Sequence, residues 1–254
     1  MSKLKILALV LIALLGISNA ANAETVLLAF DDFVGISFWI ISMGMLAATA
    51  FFFLERSSVA VAWRPSVTVA GIITGVAFVN YLYMRDIWIQ TGDVPTVYRY
   101  IDWLITVPLQ VIEFYLILSA VRKVSSRMFW RLLIGSLVML IGGYLGETEA
   151  IPRSLGFVIG VAGWIYILYE IFSGEAGRAS AKSGNKSFVT AFNTLRMIVT
   201  VGWTIYPICY IFGYLNGGVD TNLLNVIYNL ADFINKIAFG LVIWAAAVSG
   251  GRFK

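Results

Sequence analysis

Seven stretches of this 254-residue chain are long and apolar enough to cross a lipid bilayer. They run over 35–54, 66–84, 97–120, 129–146, 154–172, 188–214 and 222–249, separated by short polar connections such as Glu55-Arg56, Arg85-Asp86 and the Gly/Ser/Lys-rich segment 173–187. Hydrocarbon offers no partner to a free N–H or C=O, so each stretch is expected to be a helix that bonds its own backbone. The fold class that follows is an all-α membrane protein, a seven-transmembrane-helix bundle. Only 13% of residues are charged and 60% are apolar, whereas a soluble domain carries about a quarter charged residues. The net charge of +4 is therefore read as topology and not as a nucleic-acid footprint.

A shorter apolar run, Ile6 to Ile17, follows Lys3 and Lys5 and precedes Ala21-Asn22-Ala23. This pattern predicts a signal peptide over 1–23, cleaved before Glu24, and a seven-helix domain over 24–254; an uncleaved extra helix is the alternative. The connections after the first, third and fifth spans, with the C-terminus, carry Arg56, Arg64, Arg122, Lys123, Arg127, Arg178, Lys182, Lys186, Arg252 and Lys254. The opposite connections carry Arg85 and Arg153 among the acids Asp86, Asp93, Glu147, Glu149 and Asp220. Seven spans with an outside N-terminus put the basic set in the cytoplasm. Histidine is absent and the single Cys209 lies in an apolar run, so neither a metal site nor a disulfide is expected.

Ionisable residues inside such spans are costly unless paired or hydrated, and so they mark function. Lys236 lies near the middle of the last span, too deep to reach either surface, with Asp232 one turn before it. Two readings remain open: a structural ion pair, or a reactive lysine in a dry pocket that forms a Schiff base with an aldehyde. The third span carries Arg99, Asp102 and Glu113. Asp102 and Glu113 share a helix face about 16 Å apart along the axis, at about 1.5 Å per residue. Such spacing suits a proton relay with a gap that Lys236 fills. With Arg99 one turn away and a cationic nitrogen opposite, Asp102 is expected to rest ionised, ready to accept a proton. Glu113, flanked by Val111, Ile112, Phe114 and Leu116, is expected to rest protonated and ready to donate, unless it only bonds a neighbouring helix. Trp103, Trp164, Trp203 and Tyr206 lie at the Lys236 level, and Pro207 is expected to kink the sixth span. Arg196, two turns from the cytoplasmic end of that span, is expected to snorkel.

Three motifs, RYIDWLITVPL in the third span, GWTIYP at 202–207 and YNLADFINK at 228–236, resemble those of proteorhodopsins, a branch of the microbial rhodopsins. The similarity extends over nearly all of 33–249. It implies a light-driven outward proton pump in a bacterial inner membrane, with all-trans retinal on Lys236 as a protonated Schiff base. The resemblance makes Asp102 the primary acceptor and counter-ion, Asp232 the second counter-ion and Glu113 the cytoplasmic donor, with Arg99 in an electrostatic, proton-release role. Trp103, Thr106, Gln110, Trp164, Trp203, Tyr206 and Pro207 match the chromophore pocket, and Gln110 matches the blue-absorbing class. Asn80 stands where the family usually has a histidine beside the acceptor. In relatives that position meets a tryptophan like Trp39 across protomers, which implies a homo-oligomeric ring, a pentamer or hexamer. The rival functions are a sensory photoreceptor on the same fold, signalling to a partner, and a retinal-free transporter using Lys236 and Asp232.

Overall fold

Helix starts and stops follow local chemistry. Asp32 accepts from the Gly35 amide at 2.8 Å and opens α1, Phe33–Glu55. Pro65 sits in the first turn of α2, Arg64–Thr91, and Gly92 ends it at φ 69°, a left-handed turn that glycine adopts without strain. The computed structural model describes residues 27–218 and 220–251. The expected signal peptide and its cleavage site lie outside the described residues, as do Arg252 and Lys254.

The other helices are α3 (Thr96–Val121), α4 (Ser126–Glu147), α5 (Arg153–Phe172), the short α6 (Glu175–Ala181), α7 (Lys186–Leu215) and α8 (Thr221–Gly251). Seven of these are long and apolar enough to span a membrane, and the described residues contain no strand. The architecture is the expected all-α seven-helix bundle. Apolar side chains such as Ile40, Trp130, Ile134 and Val201 face outward, whereas Arg99, Asp102, Glu113, Asp232 and Lys236 are buried. That inverted distribution suits a bundle whose outer solvent is lipid.

Three local differences from the sequence reading have physical causes. Helix α2 continues for seven residues past the expected end at 84. Arg85 and Asp86 do not break it, because they bond each other at 2.7 Å while Trp88 ties its indole to Asp32 on α1 at 2.9 Å. Charge there does not mark the helix end. The polar connection 173–187 also contains α6. Buried Glu170 accepts from the Glu175 amide at 2.9 Å, and Arg122 of α3 donates to the Ala179 carbonyl at 2.9 Å, holding that segment against the bundle.

The third difference is in α7. Pro207 interrupts its hydrogen bonding as expected, but π-helical turns over Ile198–Gly202 and Ile211–Leu215 also flank the proline. Carbonyls in that irregular stretch find side-chain donors. Trp164 of α5 donates to Val199 O at 2.9 Å, and Asn235 of α8 donates to Gly202 O at 3.1 Å. Helices α4 and α5 pack with their backbones almost touching: a Cβ on Gly156 would lie 2.8 Å from both Gly142 O and Gly146 N.

Candidate functional site

Helices α3 and α8 bring two acids to one amine. Lys236 Nζ bonds Asp102 Oδ2 on α3, and it bonds Asp232 Oδ2, one turn earlier on its own helix, at 2.8 Å. Arg99 lies one turn from Asp102 in α3, and all four residues are 3% exposed or less. Two cations and two anions balance within the cluster, which is how so much charge can be buried together.

The two acids are not equivalent. Asp232 also accepts from Tyr81 OH at 2.8 Å, Tyr206 OH at 2.6 Å and Trp103 Nε1 at 3.1 Å. Asp102 has the lysine alone, and its Oδ1 is unpartnered. An anion held by four donors resists protonation, while one with a bare oxygen can accept a proton without breaking a bond. The two carboxylates therefore differ in how readily each could take up a proton.

Arg99 does not turn its guanidinium toward Asp102. It donates to Asn225 Oδ1 at 3.1 Å, Asn229 Oδ1 at 3.0 Å and Tyr81 OH at 3.3 Å. Asn229 in turn donates to Ser37 Oγ of α1 at 2.8 Å. Asn225, Asn229, Asp232 and Lys236 follow one another at helical spacing along one face of α8. That spacing was the available signal for the two asparagines, which did not stand out beside the charges they serve. Tyr81 was missed as well, although it neighbours Asn80.

A cavity runs away from Lys236 between α3, α4, α5 and α7. Its lining includes Trp103, Gln110, Trp164, Trp203, Tyr206 and Pro207, all expected, and Met139, Gly143 and Gly160, which were not. Thr106 is absent from the lining. It is fully buried and donates to the Asp102 carbonyl at 2.9 Å, so it braces the helix turn that carries Asp102. Gln110 Nε2 is buried without a partner. An amine at one end, indole walls and two carboxylates beside the amine fit a conjugated aldehyde carried by the lysine.

Glu113 lies apart, fully buried, with neither carboxyl oxygen bonded and the unpartnered Ser66 hydroxyl of α2 facing it. Phe114, next in α3, packs edge-on against Phe192 of α7 and Phe239 of α8 at 5.1 and 6.1 Å. Asn80 is half-buried, and no hydrogen bond joins it to Asp102 among the described residues. It lies three turns below the true end of α2, not one. Trp39 is 42% exposed on α1, with the Arg85 guanidinium 4.8 Å from its ring. Arg196 lies over Phe172 and Phe192 at 5.0 and 4.8 Å. No cluster able to hold a metal ion occurs among the described residues.

Residues 32–250 match the family model described as bacteriorhodopsin-like protein. The chain is 56% identical over 223 residues to a blue-light absorbing proteorhodopsin of Gamma-proteobacterium Hot 75m4, covering 87% of this chain and 88% of that protein. It is 50% identical over 219 residues to a green-light absorbing proteorhodopsin of Gamma-proteobacterium EBAC31A08, covering 86% and 88%. Among solved structures, the blue light-absorbing proteorhodopsin from Med12 superposes with a TM-score of 0.76 at 55% identity, covering 86% of this chain and 100% of that one. The rhodopsin of Exiguobacterium sibiricum gives 0.77 at 33% identity, covering 87% and 98%.

Proposed function

The chain belongs to the bacteriorhodopsin-like family and is similar to proteorhodopsins, and from that premise we propose that it is a light-driven outward proton pump carrying all-trans retinal on Lys236. The observation that carries the reading is the buried Lys236 amine, set between unequal carboxylates at the end of an aromatic cavity. Bound to Nζ, retinal would supply visible absorption and a light-driven change of shape. The chain's own residues do the rest.

Asp102 is the acceptor of the Nζ proton, since its Oδ1 is free. Asp232 stays an anion under Tyr81, Tyr206 and Trp103, and keeps the site charge-balanced while Asp102 is neutral. Glu113 returns a proton to Nζ from the other side, where aromatic packing keeps water out until the donor is called on. Gln110 sets an amide beside the chromophore, favours positive charge held near the nitrogen, and so favours absorption in the blue. The positive-inside rule puts Arg56, Arg64, Arg122 and Lys123 in the cytoplasm of a bacterial inner membrane and the N-terminus in the periplasm, following cleavage of residues 1–23. Transport is then outward, against about 2.3 kcal/mol per charge for each 100 mV. The exposed Trp39 and its neighbour Arg85 belong to the contact between copies in a ring of five or six.

The test is addition of all-trans retinal to the apoprotein, followed by illumination of cells that contain it. A visible band and light-driven acidification of the medium are expected. Without a band the retinal assignment fails, and a band without acidification favours a sensory photoreceptor.

A further inference from the structure

Arg196 is a cation inside a spanning helix that the Lys236 cluster does not use. It lies about three turns after Lys186, the first residue of α7. Its side chain leans back over Phe192, one turn earlier, and meets Phe172, the last residue of α5, with the guanidinium 4.8 and 5.0 Å from the two ring centres. Aromatic rings attract a cation but take no ordinary hydrogen bond from it. Arg196 Nε is buried without a partner, and no acid lies within ion-pair distance of this guanidinium among the described residues. The carboxyls at this end of the bundle are engaged elsewhere. Glu170 and Glu175 share Arg131 of α4 at 3.7 and 3.5 Å, Trp244 of α8 donates to Glu55 at 3.2 Å, and Glu113 faces Ser66 of α2. Neighbouring arginines differ from Arg196, since Arg56, Arg122 and Arg178 each donate a hydrogen bond to the protein.

We propose that the groove between the end of α5 and the start of α7 binds one anionic phospholipid, with the lipid phosphate on Arg196. The leaflet is the cytoplasmic one in the orientation proposed above, but the site itself does not depend on the pump reading. An unpaired cation at membrane depth is costly. A long side chain relieves that cost by reaching toward the headgroups, where phosphates lie. A phosphate accepts two charge-assisted N–H bonds from a guanidinium at once, which neither ring offers. The lipid carries net negative charge because Arg196 has no other counter-ion, and because Arg178, bonded to Ser173 O at 2.7 Å beside the end of α5, repels the ammonium of a zwitterionic headgroup. Exposed Tyr169 and Phe172 of α5 and Met197 and Val201 of α7 give its acyl chains an apolar track. Below Arg196, Trp164 of α5 donates to Val199 O of α7 at 2.9 Å and joins the two helices under the groove. Phe172 and Phe192 restrict the guanidinium before the lipid arrives, which lowers the ordering cost of binding.

The experiment titrates the full-length protein, stripped of lipid in a nonionic detergent, with phosphatidylglycerol, with phosphatidylcholine of the same chains, and with inorganic phosphate. Native mass spectrometry counts the lipids bound. One phosphatidylglycerol should bind more tightly than those that follow and than any phosphatidylcholine, and inorganic phosphate should not displace it. Arg196→Gln should weaken that first event by about tenfold, as loss of a charge-assisted pair predicts. Arg127→Gln removes an equal charge from the exposed start of α4 and should leave it unchanged. An unchanged first event in Arg196→Gln, or equal weakening in both variants, would reduce the binding to diffuse attraction by a basic surface and overturn the proposal. Displacement by inorganic phosphate, which would mean a site for a soluble anion, or equal affinity for the two lipids would overturn it as well. Should Arg196→Gln fail to assemble, Arg196→Lys keeps the charge and loses the fork. It should then bind phosphatidylglycerol several-fold more weakly, and wild-type affinity in that variant would contradict the proposal.

Discussion

Asp102 and Asp232 approach the same Lys236 amine from two helices, yet Asp232 has three further hydrogen-bond donors and Asp102 has none. On the proposed pump reading, that inequality gives the two side chains different roles. Asp102→Asn should stop transport and move absorption to longer wavelength, because the acceptor and a counter-charge vanish together. Asp232→Asn should chiefly weaken assembly. Its amide cannot accept from every donor now converging there, and each buried donor left unpaired costs about 1–3 kcal/mol. Absorption spectra and thermal bleaching of the two variants check this, and equal effects on both readouts would contradict the division.

Glu113→Gln should leave the resting colour intact and slow the late part of the photocycle at least tenfold. Both Glu113 oxygens lack partners and the Ser66 hydroxyl faces them, so the variant removes the proposed donor without breaking a hydrogen bond. Flash photolysis measures the delay, and added azide, a small mobile proton carrier, should shorten it. A variant that slows the same step as Asp102→Asn would mean that donor and acceptor have been assigned wrongly.

Gln110→Leu should shift the absorption maximum to the red. The Gln110 amide lines the cavity with an unbonded Nε2, so removing it alters the polarity beside the chromophore without breaking a protein hydrogen bond. A shift of no more than a few nanometres would place colour control elsewhere.

Asn80 cannot gain or lose a proton near neutral pH. The acceptor of the wild type should therefore titrate in one step, followed as absorption maximum against pH. Asn80→His should add an inflection near pH 6–7, the ordinary histidine range. Identical single transitions in both proteins would mean that even the longer side chain at position 80 does not reach the acceptor.

Much of this site was legible in the sequence because buried charge is expensive. Lys236, Asp102, Asp232, Glu113 and Arg99 interrupt apolar runs, and helical spacing alone put them on facing surfaces. The neutral groups that complete the site carried no such signal. Asn225 and Asn229 are cheap enough to bury that nothing in composition marks them as the partners of Arg99, and the Tyr81 ring reads as packing until its hydroxyl is seen on Asp232. The π-helical turns of α7 are also hidden, since apolar residues fill α and π turns alike and Pro207 announces only one interruption. Glu147 was counted as an outer-loop charge. Only its contact with Tyr100 separates it from exposed neighbours such as Glu149.

The most direct test of the central claim is the sign of the pH change around illuminated cells that carry the retinal-loaded protein. The account predicts acidification of the medium in light, reversed in the dark, abolished by a protonophore, and missing in colourless Lys236→Ala. Alkalinisation, a change that survives the protonophore, or acidification of equal rate in Lys236→Ala would contradict it.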